Sequence, residues 1–187
     1  MNKKELLWYK DDQFKNQFSN EFQKKLIASR WNIFKKLIKK HINKKQISIL
    51  DAGCGDGINI LGLKIILKEL NLNYTIKAID INVIRLERVK KIFPCVDLEQ
   101  IDITHETITT EKFDLIVFNH VLEHIKNDEK ALKNLSKALD VEGLLILGIP
   151  NEGCLLATLR NHLFQRKILK YTDHVHFYTL ASIKQNY

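Results

Sequence analysis

Between residues 46 and 150, the chain alternates short runs of β-branched and apolar residues with longer segments of helical periodicity. Such alternation predicts βαβ units, and therefore a mostly parallel sheet with helices on both faces. Right-handed crossovers make this a doubly wound α/β fold, whose ligand crevice lies at the carboxyl ends of the strands. The predicted strands are 47–51, 74–80, 96–101, 113–118 and 144–150, and the predicted helices are 58–70, 82–93 and 127–139.

Residues 13–42 precede this region and carry apolar residues at helical spacing. The pattern predicts one helix, or two if residues 19–21 interrupt it, with an apolar stripe that packs on the sheet. The stripe comprises Phe14, Phe18, Phe22, Leu26, Ile27, Trp31, Phe34, Ile38 and Ile42. We therefore divide a single predicted domain into a helical segment, 1–45, and an α/β core, 46–187.

The net charge of +8 is concentrated in residues 1–45, which hold 13 Lys and Arg against 4 Asp and Glu. This asymmetry could serve an acidic partner such as nucleic acid, or it could be a solvated helix face, which we favour. No apolar run is long enough to span a bilayer, and the first residues turn polar too early for a signal peptide. We therefore expect a cytoplasmic protein.

Gly53, Gly55 and Gly57 lie in the turn between the first strand and the first helix of the α/β core. Glycine is needed where the backbone takes positive φ or approaches a ligand, and the following helix start offers unpaired N–H groups. The dinucleotide pattern G-x-G-x-x-G/A fails here, because its last position falls on Ile58. Asp51 would also repel a pyrophosphate, so a nicotinamide cofactor is disfavoured.

Two acids flank this loop at strand ends. Asp51 ends the first strand, where its carboxylate could pair with the ammonium of a methionine moiety. Asp80 ends the second strand, which is the usual place for an acid that accepts hydrogen bonds from ribose hydroxyls. Asp80 could otherwise cap the helix that begins near Asn82; we favour the ribose contact.

With these motifs the chain resembles the class I S-adenosylmethionine-dependent methyltransferases, which have a Rossmann-like fold. The resemblance covers about residues 46–180. It rests on residues 49–57 (ILDAGCGDG), 78–80 (AID), 100–103 (QIDI), 113–125 (FDLIVFNHVLEHI) and 141–146 (VEGLLI). It implies an enzyme that binds S-adenosylmethionine and releases S-adenosylhomocysteine.

The resemblance also implies the cofactor contacts. Asp80 would bind the ribose and Ile81 would lie against the adenine, while Asp102 would accept from the adenine amine and Ile103 would pack on its ring. Asn119 would flank the methyl group. The full implied set is Asp51, Gly53, Gly55, Gly57, Asp80, Ile81, Asp102, Ile103 and Asn119.

An oxygen or nitrogen acceptor can require a general base, and histidine is suited to that task near neutral pH. His120 lies nearest the expected methyl group, and His174 and His176 lie beyond the fifth strand, where relatives bind their acceptors. Some relatives place metal ligands in a Glu-x-x-Glu-His pattern. The first position is His120 here, and we predict no metal, although Glu123 and His124 keep the remainder of the pattern.

We expect the acceptor to be a small molecule such as a sugar, a quinone precursor or a secondary metabolite. The sequence after the fourth strand lacks the Asn-Pro-Pro-Tyr signature of nucleobase-amine methylation. The alternatives are a nucleic-acid methyltransferase that uses the basic segment, and a non-catalytic module. Only 37 residues follow Pro150, which look helical at 152–164 and after Thr179. The family normally completes its sheet with a final reversed hairpin, which these residues do not predict, so the C-terminus looks shortened. An edge strand and part of the acceptor pocket would then be missing, which favours an inactive or homodimeric form.

Overall fold

The computed structural model describes residues 13–105, 108, 110–150, 175, 176, 178, 179 and 182. Helices and strands alternate in the order that the sequence predicts. They are α1 (Gln13–Phe18), α2 (Glu21–His41), β1 (Gln46–Ala52), α3 (Ile58–Glu69), β2 (Asn73–Asp80), α4 (Val83–Ile92), β3 (Asp97–Gln100), β4 (Phe113–Asn119), α5 (Asp128–Ala138) and β5 (Leu139–Gly148). A single 3₁₀ turn, Leu122–His124, follows β4.

The five strands form one sheet in the order β3-β2-β1-β4-β5, and every neighbouring pair is parallel. This confirms the predicted doubly wound sheet. The strand order reverses between β1 and β4, so their connections leave in opposite directions and open a crevice at their carboxyl ends. All seven residues of β4 are buried, as expected of a central strand covered on both faces.

The sheet separates two apolar clusters. On one face, α2, α3 and α4 contribute buried residues that include Phe34, Leu63 and Val89. On the other face, α5 packs Ala131 and Leu135 against the sheet. The N-terminal helix thus shares a core with the sheet.

The N-terminal segment forms two helices, α1 and α2, which are separated at residues 19 and 20. This is the interruption that the sequence predicted as one of two possibilities. Asn20 caps α2, because its side-chain oxygen accepts a hydrogen bond from the N–H of Phe22 at 2.8 Å. The predicted stripe is wrong at two positions, since Phe22 is 64% exposed and Leu26 is 46% exposed, whereas Phe14 packs against the core as predicted. Helical rotation of about 100° per residue carries Phe22 and Leu26 away from the face that buries Ile27.

The predicted start of the fifth strand at residue 144 is also wrong, because β5 begins at Leu139 and residues 140–143 lie within it. Phe113 pairs with Leu139 and Leu115 with Leu144, so the register shifts and the extra residues form a bulge. Val141, at the bulge, is almost fully exposed. The strand ends at Gly148.

The remaining C-terminal predictions are only partly described. The predicted helix at 152–164 lies outside the described residues. Thr179 and Ser182 exchange hydrogen bonds: the N–H of each residue donates to the hydroxyl of the other, at 2.9 and 3.0 Å. This reciprocal pattern is typical of a helix N-terminus and agrees with the helix predicted after Thr179. Within the part of the chain that the structure describes, no helix is both long and apolar enough to cross a membrane.

Candidate functional site

A cavity of about 680 Å³ occupies the crevice at the carboxyl ends of β1, β2 and β4. Loops after these strands form most of its wall, and α2 contributes Arg30. Most of the predicted cofactor residues line it, namely Gly53, Gly55, Asp80, Ile81, Asp102, Ile103 and Asn119. Gly57 and Asp51 lie outside the lining, with Asp51 fully buried.

The glycine loop is held in a conformation that suits glycine. Gly53, Gly55 and Gly57 have φ of 68°, 55° and 87°. The N–H groups of Gly53 and Cys54 both donate to the carbonyl oxygen of Ile79, at 2.8 and 3.0 Å. A Cβ atom on Gly53 would lie 2.5 Å from Cγ2 of Val121. Hydrogen bonds thus hold the loop against β2, and Gly53 packs closely against Val121 in the segment after β4.

Asp80 joins β2 to this loop. Its carboxylate accepts one hydrogen bond from the N–H of Gly55 and another from the N–H of Asn82, each at 2.8 Å. Burial raises the pKa of Asp80, and the two backbone hydrogen bonds oppose that rise. Both oxygens retain lone pairs beyond these bonds, so the carboxylate can accept further hydrogen bonds from a ligand in the cavity.

A chain of buried polar side chains runs from Asp51 of β1 to Asn119 at the end of β4, and its members Asn59 and Asn119 line the cavity. Asn59 of α3 donates to Oδ1 of Asp51 at 3.4 Å, and Asn119 donates to Oδ1 of Asn59 at 3.3 Å. Oδ2 of Asp51 has no hydrogen-bond partner among the described residues. Desolvation raises the pKa of Asp51 to about 7, and the nearby charge of Asp80 adds to this rise. A buried carboxylate oxygen without a donor is costly, so a donor group that reached Oδ2 would be favoured.

His120 stands at the mouth of the cavity between two charged residues. Its Nε2 lies 3.2 Å from Nη2 of Arg30, and its Nδ1 lies 3.3 Å from Oε1 of Glu123. The backbone of His120 has φ of 58°, which is uncommon outside glycine. Burial lowers the pKa of Arg30, whose guanidinium has no carboxylate partner among the described residues.

The segments that follow β2 and β3 line another part of the cavity with both apolar and polar side chains. Ile81 is exposed to the cavity, while Ile103 is buried beside it. The carboxylate of Asp102 accepts hydrogen bonds from the N–H and hydroxyl of Thr104, and its other oxygen contacts His105. Partial burial raises the pKa of Asp102, but these hydrogen bonds outweigh it and hold the pKa below its usual value. Asp102 thus organises a turn at the cavity edge.

The predicted histidines separate in space. His176 does not line the cavity; its Nε2 lies 3.3 Å from the carbonyl oxygen of Lys126, and its ring contacts Tyr178. His174 lies outside the described residues. Among the residues that are described, no three metal-ligating side chains converge.

The sequence patterns did not predict three residues that line the cavity: Arg30, Asn59 and Glu123. Arg30 is one of 13 basic residues in the N-terminal segment, and nothing local distinguishes it. Asn59 carries a weak signal, because it is a polar residue within an apolar helix. The sequence pattern singles out Glu123 only as part of a possible metal motif. In the structure its side chain is buried beside His120.

Comparisons with known proteins agree with this geometry. A family profile described as a methyltransferase domain matches residues 20–186. An uncharacterized protein of Methanocaldococcus jannaschii is 32% identical over 120 residues. The match covers 64% of this chain and 48% of the relative, so the chain spans about half the length of that protein.

Solved structures share the fold. The YcgJ protein of Bacillus subtilis is similar with a TM-score of 0.62 and 17% identity, over 80% of this chain and 63% of that one. The plantazolicin methyltransferase BpumL, solved in complex with S-adenosylhomocysteine, has a TM-score of 0.61 and 22% identity, over 91% of this chain and 70% of that one. At such identities the likeness establishes the architecture alone.

Proposed function

The chain belongs to the methyltransferase-domain family, and on that premise we propose that it binds S-adenosylmethionine in the 680 Å³ cavity and methylates an oxygen or nitrogen of a small molecule. The observation that carries this proposal is the unpartnered Oδ2 of Asp51 beneath the glycine loop. The cofactor is zwitterionic at its methionine end, and its ammonium would interact with Asp51 through Asn59 or through one water, because Asp51 itself lies outside the cavity lining. Asn59, which contacts Asp51 and lines the cavity, would share that group.

The other contacts follow from the same orientation. With the ammonium near Asp51, the methionine carboxylate would meet Arg30, whose planar donors match a carboxylate. Asp80 would accept hydrogen bonds from the ribose hydroxyls, since its oxygens have lone pairs left after binding the loop. The adenine would lie between Ile81 and Ile103, with Asp102 at its amine.

The bound cofactor would supply a methyl group already activated by a sulfonium. The role of the protein is then to align an acceptor lone pair with that methyl group and to accept a proton. His120 is the described side chain best placed to accept the proton, because its ring lies at the end of β4 beside the methionine end of the cavity. Val175, which also lines the cavity, would contribute to the acceptor side.

Several basic residues of the N-terminal segment lie away from the cavity, although Arg30 lines it, and this placement favours a small acceptor over nucleic acid. The basic residues at the end of α2 and before β1, including Lys39, Lys40 and Lys45, lie at the amino end of β1. The cavity lies at its carboxyl end, about 20 Å away at roughly 3.3 Å per residue. A phosphate backbone bound there would not lead directly into the site.

Asp80→Asn is expected to weaken S-adenosylhomocysteine binding by about ten-fold. An amide keeps the shape of the side chain but places one N–H₂ group against the backbone donors at Gly55 and Asn82. Isothermal calorimetry measures the effect, with Asp97→Asn, an exposed acid on β3, as the matched control. Equal affinity of Asp80→Asn and the unaltered chain would contradict the ribose contact. No binding by the unaltered chain would contradict the proposed function.

Arg30→Gln is expected to weaken the binding of S-adenosylhomocysteine by about five- to ten-fold and to leave the affinity for methylthioadenosine unchanged. Methylthioadenosine keeps the nucleoside and sulfur but lacks the amino acid, so it has no carboxylate for Arg30 to bind. Calorimetry with both ligands separates this contact from a general loss of structure. An equal loss for the two ligands would contradict the assignment of Arg30 to the carboxylate.

A further inference from the structure

His120 receives two side-chain contacts from different elements, and these contacts constrain its proton. Arginine has hydrogen-bond donors only, so the contact from Nη2 of Arg30 requires a lone pair on Nε2 of His120. An ionised glutamate has acceptors only, so the contact with Oε1 of Glu123 requires a proton on Nδ1. Both contacts therefore select the same neutral tautomer, with the basic nitrogen on the side of Arg30.

We propose that Glu123 is a positioning residue for the reaction, which holds His120 as the Nδ1–H tautomer so that Nε2 is the base that faces the cavity. This inference rests on the proposed function and names a residue that the function alone does not require. Its basis is the partly buried contact between the two side chains, in which Glu123 is the buried partner, together with the contact from Arg30 that selects the same tautomer.

The burial of Glu123 supports a role beyond packing. The residue is 1% exposed, and its Oε2 has no hydrogen-bond partner among the described residues. A buried carboxylate is costly unless a charge or donor compensates it. His120 is the described side chain that contacts it, and protonation of His120 would place a positive charge beside that carboxylate.

The backbone fixes the position of the histidine ring. His120 has φ of 58°, and its N–H donates to the carbonyl oxygen of Gly148 at 2.7 Å. A conformation of this kind persists only where the surrounding structure imposes it. The carbonyl oxygen of Glu123 in turn accepts from the N–H groups of Val175 and His176 at 2.8 and 3.2 Å, which anchors the wall of the cavity to the same turn.

In the proposed reaction, the acceptor loses one proton as it gains the methyl group. A lone pair of the acceptor forms a bond to the methyl carbon, the carbon–sulfur bond breaks, and its electron pair remains on sulfur as a neutral thioether. The proton lost by the acceptor moves to Nε2 of His120, and the resulting imidazolium is stabilised by Glu123. Arg30 must leave Nε2 for this step, and the proposed methionine carboxylate offers it a stronger partner than a neutral imidazole. Lys126 and His124 also line the cavity, and neither supplies a carboxylate that could compete with Glu123 for His120.

The tautomer is directly measurable by NMR of the protein labelled with ¹⁵N-histidine, with and without S-adenosylhomocysteine. The seven histidines require an assignment, which His120→Asn provides because asparagine tolerates positive φ. We expect His120 to show a protonated Nδ1 and an unprotonated Nε2. We expect Glu123→Gln to keep this signature, since the amide oxygen still accepts, and Glu123→Ala to shift it toward the Nε2–H form.

The outcomes separate this inference from the proposed function. An Nε2–H tautomer in the unaltered chain would overturn the inference even if S-adenosylhomocysteine binds, and this result stands if Glu123→Ala fails to fold. An unchanged signature in a folded Glu123→Ala would also overturn it. We expect Glu123→Gln to bind S-adenosylhomocysteine with an affinity within about three-fold of that of the unaltered chain. With an acceptor in hand, His120→Asn should lower turnover by at least about 100-fold.

Discussion

Gly53→Ala is expected to lower the free energy of unfolding by about 3 kcal/mol and to reduce S-adenosylhomocysteine affinity more than 100-fold. The new Cβ atom would lie 2.5 Å from Cγ2 and 2.8 Å from Cγ1 of Val121, so the loop and the segment after β4 must separate. Overpacking of this kind costs roughly 1–3 kcal/mol, and the left-handed conformation at φ of 68° costs about 1–2 kcal/mol more for a residue with a side chain. Denaturant unfolding and calorimetry measure the two effects.

A second substitution separates the two causes. Val121→Ala removes both methyl groups that the new Cβ atom would meet, and the double variant should regain the part of the stability that the contact costs, leaving about 1–2 kcal/mol of backbone strain. Gly55→Ala is the matched glycine control, because its nearest atom is the flexible end of Arg85 at 3.2 Å. Equal losses in Gly53→Ala and the double variant would show that contact with Val121 is not the cause.

The affinity for S-adenosylhomocysteine is expected to rise about ten-fold between pH 6 and pH 8, and Asp51→Asn should abolish this rise. Burial raises the pKa of Asp51 to about 7, so most of the carboxyl is neutral at pH 6 and ionised at pH 8. An ionised Asp51 attracts the ligand ammonium, whereas a neutral carboxyl or an amide does not. Calorimetry across this pH range measures the slope. A slope that persists in Asp51→Asn would assign the titration to another group.

The stability of the ligand-free protein should change in the opposite direction. A folded-state pKa of about 7 lies above the ordinary value of 3.8, so the folded chain holds this proton more tightly than the unfolded chain. The resulting stability is fully present below about pH 4 and is lost as pH rises through 7. Its size is on the order of 4 kcal/mol, since one pKa unit corresponds to about 1.4 kcal/mol.

Asp51→Asn therefore should flatten the decline in unfolding free energy between pH 5 and pH 8. Asp80 also has a pKa raised by burial, but it is present in both proteins, so the comparison isolates Asp51. S-adenosylhomocysteine should restore stability at pH 8 in the unaltered chain more than in the variant. Parallel pH profiles for the two proteins would contradict a buried, titrating Asp51.

Most of the fold could be predicted because its signals are local. The alternation of apolar strands with amphipathic helices reports which faces are buried, and a parallel sheet with a reversed strand order follows from chain handedness. The glycine loop is equally local, because three closely spaced residues must adopt positive φ. The bulge at 140–143 was missed because a loop and an irregular strand have the same composition, and pairing with β4 decides between them.

The sheet, the glycine loop and the strand-end acids can be read from the sequence, because each depends on neighbours within one βα unit. The contact of Arg30 of α2 with His120, which is 90 residues away, follows only from the packing of the folded chain. The same packing buries Glu123 against His120, whereas His176 turns away toward Lys126. Such contacts depend on how separate elements pack, and local spacing carries no information about that packing.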